Sequence, residues 1–353
     1  MTPSSRAVPG RSTMQDVAAL AGVSLKSVSR VVNEEPGVSP ALAERVRRAV
    51  AELGYRHNLA ASNLRRGRHT GAIGMLVQDL SNGFCAEALR AVEDRARERG
   101  VVVMAASSDE DGPREREVVA GLVARRVDGL LLMPTSRDLG WLTPEIEAGL
   151  PVVSVDRRPA VPEVDAVVVD NQGASAEAVG HLVAHGHRRI AFLGDIAGII
   201  TAAERLDGYR AGLRANGVVP APALELTGLR SREAARDGVL RLLGLPRPPT
   251  ALFAARNVIS EGAVMALQQR GLTHEVALVG FDDLAVAEML DPAITVVSQD
   301  THAIGTRAID LLLRRLDGDT SPPRTEVVPT RLVRRGSGEI PGPYQVRQET
   351  RPA

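Results

Sequence analysis

Two textures of apolar spacing divide the chain. Between residues 13 and 64 the apolar positions recur at helical spacing, punctuated by Gly22, Gly37 and Gly54, with no alternating or continuous strand-type run. From residue 72 onward, apolar runs of strand length take over: AIGMLV (72–77), VVVMAA (101–106), GLLLM (129–133), PVVSV (151–155), AVVV (166–169), RIAFL (189–193), ALFAA (251–255), VALVGF (276–281) and ITVV (294–297). Amphipathic segments of helix length separate them. The runs do not alternate between apolar and polar, so both faces of each strand are expected in an apolar interior. Such strands form parallel sheets covered by helices, the α/β arrangement. Nine or more of them over about 260 residues exceed one typical sheet, which predicts two α/β lobes. The Gly/Pro-rich, polar stretch from Gly336 predicts a disordered tail.

The first texture resolves into three short helices. Thr13 and Asp16 fit a capping box, which starts a helix over about 14–20. Gly22 turns the chain, and Ser24 caps a second helix reading LKSVSRVVN. Val17, Ala18 and Ala21 then share an apolar patch with Val28 and Val31, as in a helix-turn-helix. Ser39 followed by Pro40 starts a third helix, in which Leu42, Val46, Ala49, Val50 and Leu53 recur until Gly54. The second helix leaves Leu25, Lys26, Ser27 and Arg30 unburied near its N-terminus, the end that enters a DNA major groove in this motif.

Those helices, read together as TMQDVAALAGVSLKSVSRVVN and VSPALAERVRRAVAELGYRHNLAASNLRRG, resemble the head of the LacI/GalR transcriptional regulators. Ser27 departs from the family's usual Thr but keeps a hydroxyl. The resemblance implies that Leu25 and Lys26 read base edges, Leu25 by apolar contact and Lys26, the only lysine, by hydrogen bonds to guanine. It implies that Ser24, Ser27 and Asn33 hold phosphates and that Arg30 touches base or phosphate. Thr13, Ser29, Tyr55, Asn58 and Arg65 complete the implied DNA-contacting set. Asn58 to Leu64 matches the family's hinge helix, in which Ala61 permits close packing of two hinges and Leu64 wedges into the minor groove. His57 stands where Pro is usual, which implies a looser start to the hinge.

The core resembles the same family through LVQDLSNGFCAEALRAVEDRARERG, HLVAHGHRRIAFLG, ERLDGYRAGL, VALVGFDD and DPAITVVSQD, so the likeness runs over residues 13–335. It implies a helix-turn-helix domain at 13–57, a hinge and linker at 58–69 and a two-lobed core at 70–335 of periplasmic-binding-protein type. Its Rossmann-like lobes would be about 70–169 with 300–328, and about 170–297 with 329–335. Ligands of open α/β sheets bind beyond the carboxyl ends of the strands. Asp79, Asn82, Asp156, Asp170, Asn171, Asp282 and Asp283 stand at such ends, with Arg205 in a following segment and Phe84 and Phe281 as stacking faces. Groups of this kind suit hydroxyl-rich ligands. The resemblance places Asp79, Asp156, Arg205, Asp282 and Gln299 against an effector. Arg256 replaces a usual amide, and a guanidinium pointing into the cleft would imply an acidic or phosphorylated effector.

Composition refines this picture. The chain has 353 residues, 44% hydrophobic and 24% charged, an ordinary globular balance. Cys85 is the only cysteine, which excludes an internal disulfide and a Cys-cluster metal site. His181, His185 and His187 share helical spacing but lack accompanying carboxylates or thiols, so they read as a helix end at Gly186 rather than a metal site. No GxxxxGK[ST], HExxH or GxSxG motif supports an enzyme. With no apolar leader or span, the expected location is the cytoplasm. Formal net charge is zero, yet residues 1–69 carry eleven basic against five acidic residues, a net +6, which leaves −6 on the remainder. A basic reader joined to an acidic sensor suits a DNA-bound switch. The expected protein is a dimeric repressor that binds palindromic double-stranded operator DNA under control of a small-molecule, carbohydrate-type effector, with no cofactor and no membrane partner. The tail lacks an apolar heptad, which favours a dimer over a coiled-coil tetramer.

Overall fold

The capping side chains decide where the helices begin. The structure, a computed structural model, describes residues 12–33, 35–55, 70–160, 164–196 and 198–344. It divides the chain into two compact units, Met1–Thr70 and Gly71–Ala353. In the first, α1 (Met14–Ala21) opens on the Thr13/Asp16 capping box, α2 (Leu25–Val32) on Ser24 and α3 (Pro40–Glu52) on Ser39 with proline in its first turn. Val17, Ala18, Ala21, Val28, Val31, Val46 and Ala49 form the buried core. Gly22 takes the left-handed conformation at φ 61° between α1 and α2. Arg45 of α3 braces that turn by donating to the carbonyls of Ala21 at 2.6 Å and Gly22 at 3.1 Å.

The second unit alternates strand and helix. In chain order it runs β1 (Ala72–Val77), α4 (Gly83–Glu98), β2 (Val102–Ser107), α5 (Gly112–Ala124), β3 (Leu130–Leu132), α6 (Thr143–Glu147), β4 (Val152–Val155) and β5 (Asp165–Val169). It continues with α7 (Asn171–Ala184), β6 (Ile190–Leu193), α8 (Ile200–Ala215), β7 (Glu225–Leu226), α9 (Arg232–Leu243), β8 (Ala251–Ala254), α10 (Asn257–Arg270) and β9 (Ala277–Phe281). It closes with β10 (Thr295–Gln299), α11 (Thr301–Leu316), β11 (Thr325–Val328) and β12 (Thr330–Val333).

The strands form two six-stranded sheets, ordered β11-β5-β4-β3-β1-β2 and β12-β10-β9-β8-β6-β7. Pairing is parallel throughout the first; in the second, β12 alone runs antiparallel, against β10. Each sheet is covered on both faces by a separate apolar cluster, which accounts for the unbroken apolar runs of the central strands. The chain passes from one sheet to the other at Asp170, Asp300 and Pro329. Asp170 and Asp300 cap the helices that follow, accepting from the N–H groups of Gly173 and Ala303 at 2.8 Å each.

The segment after Gly336 corrects the expectation of a disordered tail. Residues 336–344 are fastened to the second lobe. Ser337 donates to the Leu278 carbonyl at 2.6 Å, and Gly342 and Tyr344 donate their N–H groups to the carbonyls of His185 and Gly186. This stretch holds one short 3-10 turn, Ser337–Glu339, and is tied down by close contact, since a Cβ on Gly342 would stand 2.4 Å from the Gly186 backbone; residues 345–353 lie outside the described residues. The three histidines belong to this junction. His181 Nε2 meets Glu339 Oε1 at 2.6 Å, and His187 Nε2 pairs with the Ile340 carbonyl at 2.9 Å.

Helices α7 and α8 pack closely because Gly208 carries no side chain; a Cβ there would lie 2.3 Å from the Gln172 carbonyl oxygen. Overpacking of this kind costs about 1–3 kcal/mol. Gly208→Ala is therefore expected to lower the urea midpoint of the core transition by a corresponding amount, and an unchanged midpoint would contradict the close approach.

Candidate functional site

Strand ends of both sheets supply the walls of one cleft. The last residue of β4 is followed by Asp156 and the last of β9 by Asp282, and both aspartates adopt left-handed backbone conformations, φ 67° and 70°. Each donates its N–H to the adjacent strand, Asp156 to the Val167 carbonyl at 2.8 Å and Asp282 to Val297 at 2.9 Å. The same local turn thus occurs at equivalent places in the two lobes, with aspartate because its short polar side chain tolerates this region. Gln78 after β1, Asp195 after β6, Arg256 after β8 and Gln299 closing β10 complete the ring. The cleft is nearly shut, with a cavity of about 20 Å³, room for little more than one water.

Hydrogen bonds fix most of these groups. Arg205 donates from Nε to Asn171 Oδ1 at 2.8 Å and from Nη1 to the Ala255 carbonyl at 2.9 Å, stands 3.7 Å from Asp282 Oδ2, and lies over the Phe281 ring at 3.7 Å. Gln299 donates to Asp282 Oδ1 at 2.5 Å. Arg157, buried, donates to both oxygens of Glu110, to Gln78 Oε1 and to the Pro134 carbonyl. Arg256 is paired with Asp195. Asn82 and Asn257, from opposite lobes, exchange two amide hydrogen bonds at 3.1 and 3.0 Å across the cleft.

Three buried atoms of the walls have no hydrogen-bond partner: Asp156 Oδ1, Gln299 Oε1 and Arg157 Nε, the last standing 3.7 Å from Asp156 Oδ2. An unmet buried polar atom is costly, and these are grouped on facing walls of the cleft. Burial holds the Asp156 carboxyl above the usual carboxylate range, with Arg157 and Arg205 pulling it back down. Cys85, behind Phe84 on α4, has its thiol pushed up to about 11, chiefly by burial, so the thiolate nucleophile is disfavoured.

Of the effector positions expected from sequence, Asn82, Phe84, Asp156, Arg205, Arg256, Asp282 and Gln299 line this cleft. Asp79 does not. Its Oδ1 accepts from the N–H and hydroxyl of Ser81 at 2.8 and 2.7 Å, so it shapes the loop after β1 and lines only a neighbouring recess. Phe281 offers no stacking face to a ligand, since Arg205 covers it. Asp170 caps α7, and Asp283 is held by Arg335 at 2.7 and 2.8 Å. Gln78, Arg157, Asp195 and Asn257 were not legible as wall residues. For Arg157 the one available signal is its place directly after Asp156.

In the helical unit, Ser24, Leu25 and Lys26 are exposed at the start of α2, Leu25 at 46%. Ser24 and Ser27 share a hydroxyl contact at 2.9 Å, and Asn33 donates to Ser29 Oγ at 3.2 Å. Arg30 donates to the Pro36 carbonyl at 2.9 Å and lies 3.7 Å from Glu35. Thr13 is engaged in its capping box, and Tyr55 packs on the head core. Asn58, Ala61, Leu64 and Arg65 lie outside the described residues.

Comparison with known proteins agrees with both units. Residues 13–58 match the model for bacterial regulatory proteins of the lacI family, and residues 179–338 match the periplasmic binding protein-like domain. The chain is 35% identical to the HTH-type transcriptional regulator PtxS of Pseudomonas aeruginosa over 333 residues, covering 93% of this chain and 96% of that protein. Among solved structures, a transcriptional regulator CelR–cellobiose complex superposes with TM-score 0.70 at 33% identity, over 93% of this chain and all of that one. The lac repressor dimer bound to operator and the anti-inducer ONPF gives TM-score 0.81 at 28% identity, over 93% of this chain and 99% of that one.

The raised Asp156 carboxyl has a stability consequence. A carboxyl whose folded pKa exceeds its unfolded value stabilises the fold at low pH and loses that contribution as pH rises through the folded value. Its ionised form therefore burdens the fold, and the burden grows as pH rises. Asp156→Asn is expected to raise the melting temperature of the ligand-free protein at pH 7, with the gain shrinking toward pH 4. A variant that melts lower than wild type at pH 7 would contradict the assignment.

Proposed function

Because the chain belongs to the lacI family of bacterial regulatory proteins, we propose that it is a sequence-specific DNA-binding repressor whose operator affinity is set by a sugar-type effector in the cleft. The observation that carries this reading is the set of unpartnered atoms on both lobes: Asp156 Oδ1 and Arg157 Nε from the first and Gln299 Oε1 at the end of β10 from the second. A ligand satisfying all three would tie the lobes together, and with a cavity of about 20 Å³ a sugar needs the walls to part to admit it, so its binding is linked to the spacing of the lobes. Hydroxyl groups do this well, because each can donate to Asp156 or Gln299 and accept from Arg157. The lac repressor dimer on its operator and the cellobiose complex of CelR support an operator partner, a homodimer and a sugar ligand.

The head supplies the reader. Lys26 and Leu25 are exposed where α2 would enter the major groove, and Ser24, Ser27 and Asn33 are proposed to exchange their bonds within the head for phosphates. Asn58, Ala61, Leu64 and Arg65, which lie outside the described residues, complete the proposed set of operator contacts. Effector and operator then couple reciprocally, typically by about 1–3 kcal/mol. The work is binding rather than catalysis, and its place is the cytoplasm with the DNA; among the described residues no helix is long and apolar enough to cross a membrane.

Footprinting of DNA upstream of the chain's own locus, with and without neutral sugars, tests the reading. A protected palindrome whose affinity changes with a sugar is expected, and protection of no discrete site would overturn it. Lys26→Ala is expected to relax base preference at one position per half-site by about 1–3 kcal/mol, read by binding-site selection. Recovery of the same operator by both proteins would reject the base-reading role of Lys26.

A further inference from the structure

Three guanidinium groups face the cleft, and each has its charge met by the protein. Arg157 is held by Glu110, Arg205 stands beside Asp282, and Arg256 is paired with Asp195. Among the charged side chains lining the cleft, Asp156, Asp195 and Asp282 balance Arg157, Arg205 and Arg256. Arg256 therefore does not present the free cation that its place in the sequence suggests. The unmet atoms are mixed: Asp156 Oδ1 and Gln299 Oε1 need a donor and Arg157 Nε needs an acceptor, a combination that hydroxyl groups meet in full and a carboxylate or phosphate, which supplies only acceptors, meets in part.

The recesses adjoining the cleft reinforce this balance. One, of about 470 Å³, shares Phe84, Asn257, Asp282 and Gln299 with the cleft, and its charged lining consists of Glu87, Glu261, Asp282 and Asp283. The other, of about 230 Å³, shares Gln78, Asp195 and Arg256, and sets Asp79, Asp109, Glu110 and Asp195 against Arg230 and Arg256. With Arg114 on Asp109 and Arg157 on Glu110 the second recess is balanced, whereas the first keeps an acidic excess after Arg335 pairs with Asp283. A cleft with such walls disfavours an anion on its way in.

We infer that Asp195 determines effector charge: by neutralising Arg256 it makes the cleft a site for an uncharged polyhydroxy ligand and closes it to the corresponding acids and phosphate esters. The inference rests on the reading of the cleft as the effector site. Asp195 is suited to the task because it is anchored on its own lobe, where Oδ1 accepts from the Ile196 N–H at 2.7 Å and Oδ2 is left to meet Arg256. Removing its charge leaves one guanidinium unbalanced in a low-dielectric wall, where an anionic ligand group becomes the natural partner.

Calorimetric titration of the full chain with a panel of neutral aldoses, their aldonates and their phosphate esters tests this. For wild type, at least one neutral aldose is expected to bind at least tenfold more tightly than its aldonate or phosphate. Asp195→Asn should shift that ratio at least tenfold toward the acids, and adding Arg256→Asn to it should restore the neutral preference. Wild-type preference for an acid overturns the inference while leaving the effector site standing, and it does so even where the variants fold poorly. An Asp195→Asn protein that folds and keeps the wild-type ratio also overturns it. Binding of no panel member by a chain that still holds its operator overturns the sugar reading itself, and this inference with it.

Discussion

Charge brought into a cleft that excludes water must find its partner within the protein or in a ligand, and that constraint organises the core. The carboxyl ends of the parallel strands converge on one opening, so polar residues placed there lose solvent as the lobes close. The protein answers with pairs: Arg157 with Glu110, Arg256 with Asp195, Gln299 with Asp282, Asn82 with Asn257. What it leaves without a hydrogen bond are single atoms of Asp156, Gln299 and Arg157, on which the proposed effector site rests. The helices, sheets and left-handed aspartates serve mainly to deliver these groups to one place.

Much of that delivery could be read from the chain beforehand. Central strands bury both faces, so they appear as continuous apolar runs, and all nine runs recognised this way are strands; β2 departs from the expected burial, being an edge strand with Val102 exposed at 61%. The strands without such a signal sit at sheet edges. TEVV of β11 and TRLV of β12 keep one side toward solvent, and β7 is only two residues long, too short for any periodicity. Antiparallel β12 follows from the same economy of chain: after β11 a single proline intervenes, too short a link for a parallel crossover within one sheet, and β12 joins the other sheet instead.

The site was legible wherever a residue's role follows from its position on a strand, and illegible wherever it follows from a partner distant in sequence. Asp156 and Asp282 belong to the first kind. Asp195 belongs to the second, because its meaning depends on Arg256, sixty-one residues away. Asp79 was misplaced for a related reason: a carboxylate two residues before a serine has a local use, and the local bond won. The tail beyond Gly336 shows the same limit. Its composition carries no helix or strand periodicity, whereas the bonds from Ser337, Gly342 and Tyr344 to the second lobe depend on a surface assembled from β9, β10 and the end of α7.

The amide pair between Asn82 and Asn257 carries one more implication. It joins the lobes without net charge, so dissolved ions do little to screen it and protons in the neutral range do not titrate it. The head, at net +6, is governed by the opposite rule, since contacts to phosphate weaken steeply as counterions accumulate. Ionic strength thus becomes a handle on one end of the molecule: a rise in salt loosens the reader from DNA while the clasp across the sensor keeps its grip, and the two halves of the switch can be tuned apart by the medium alone.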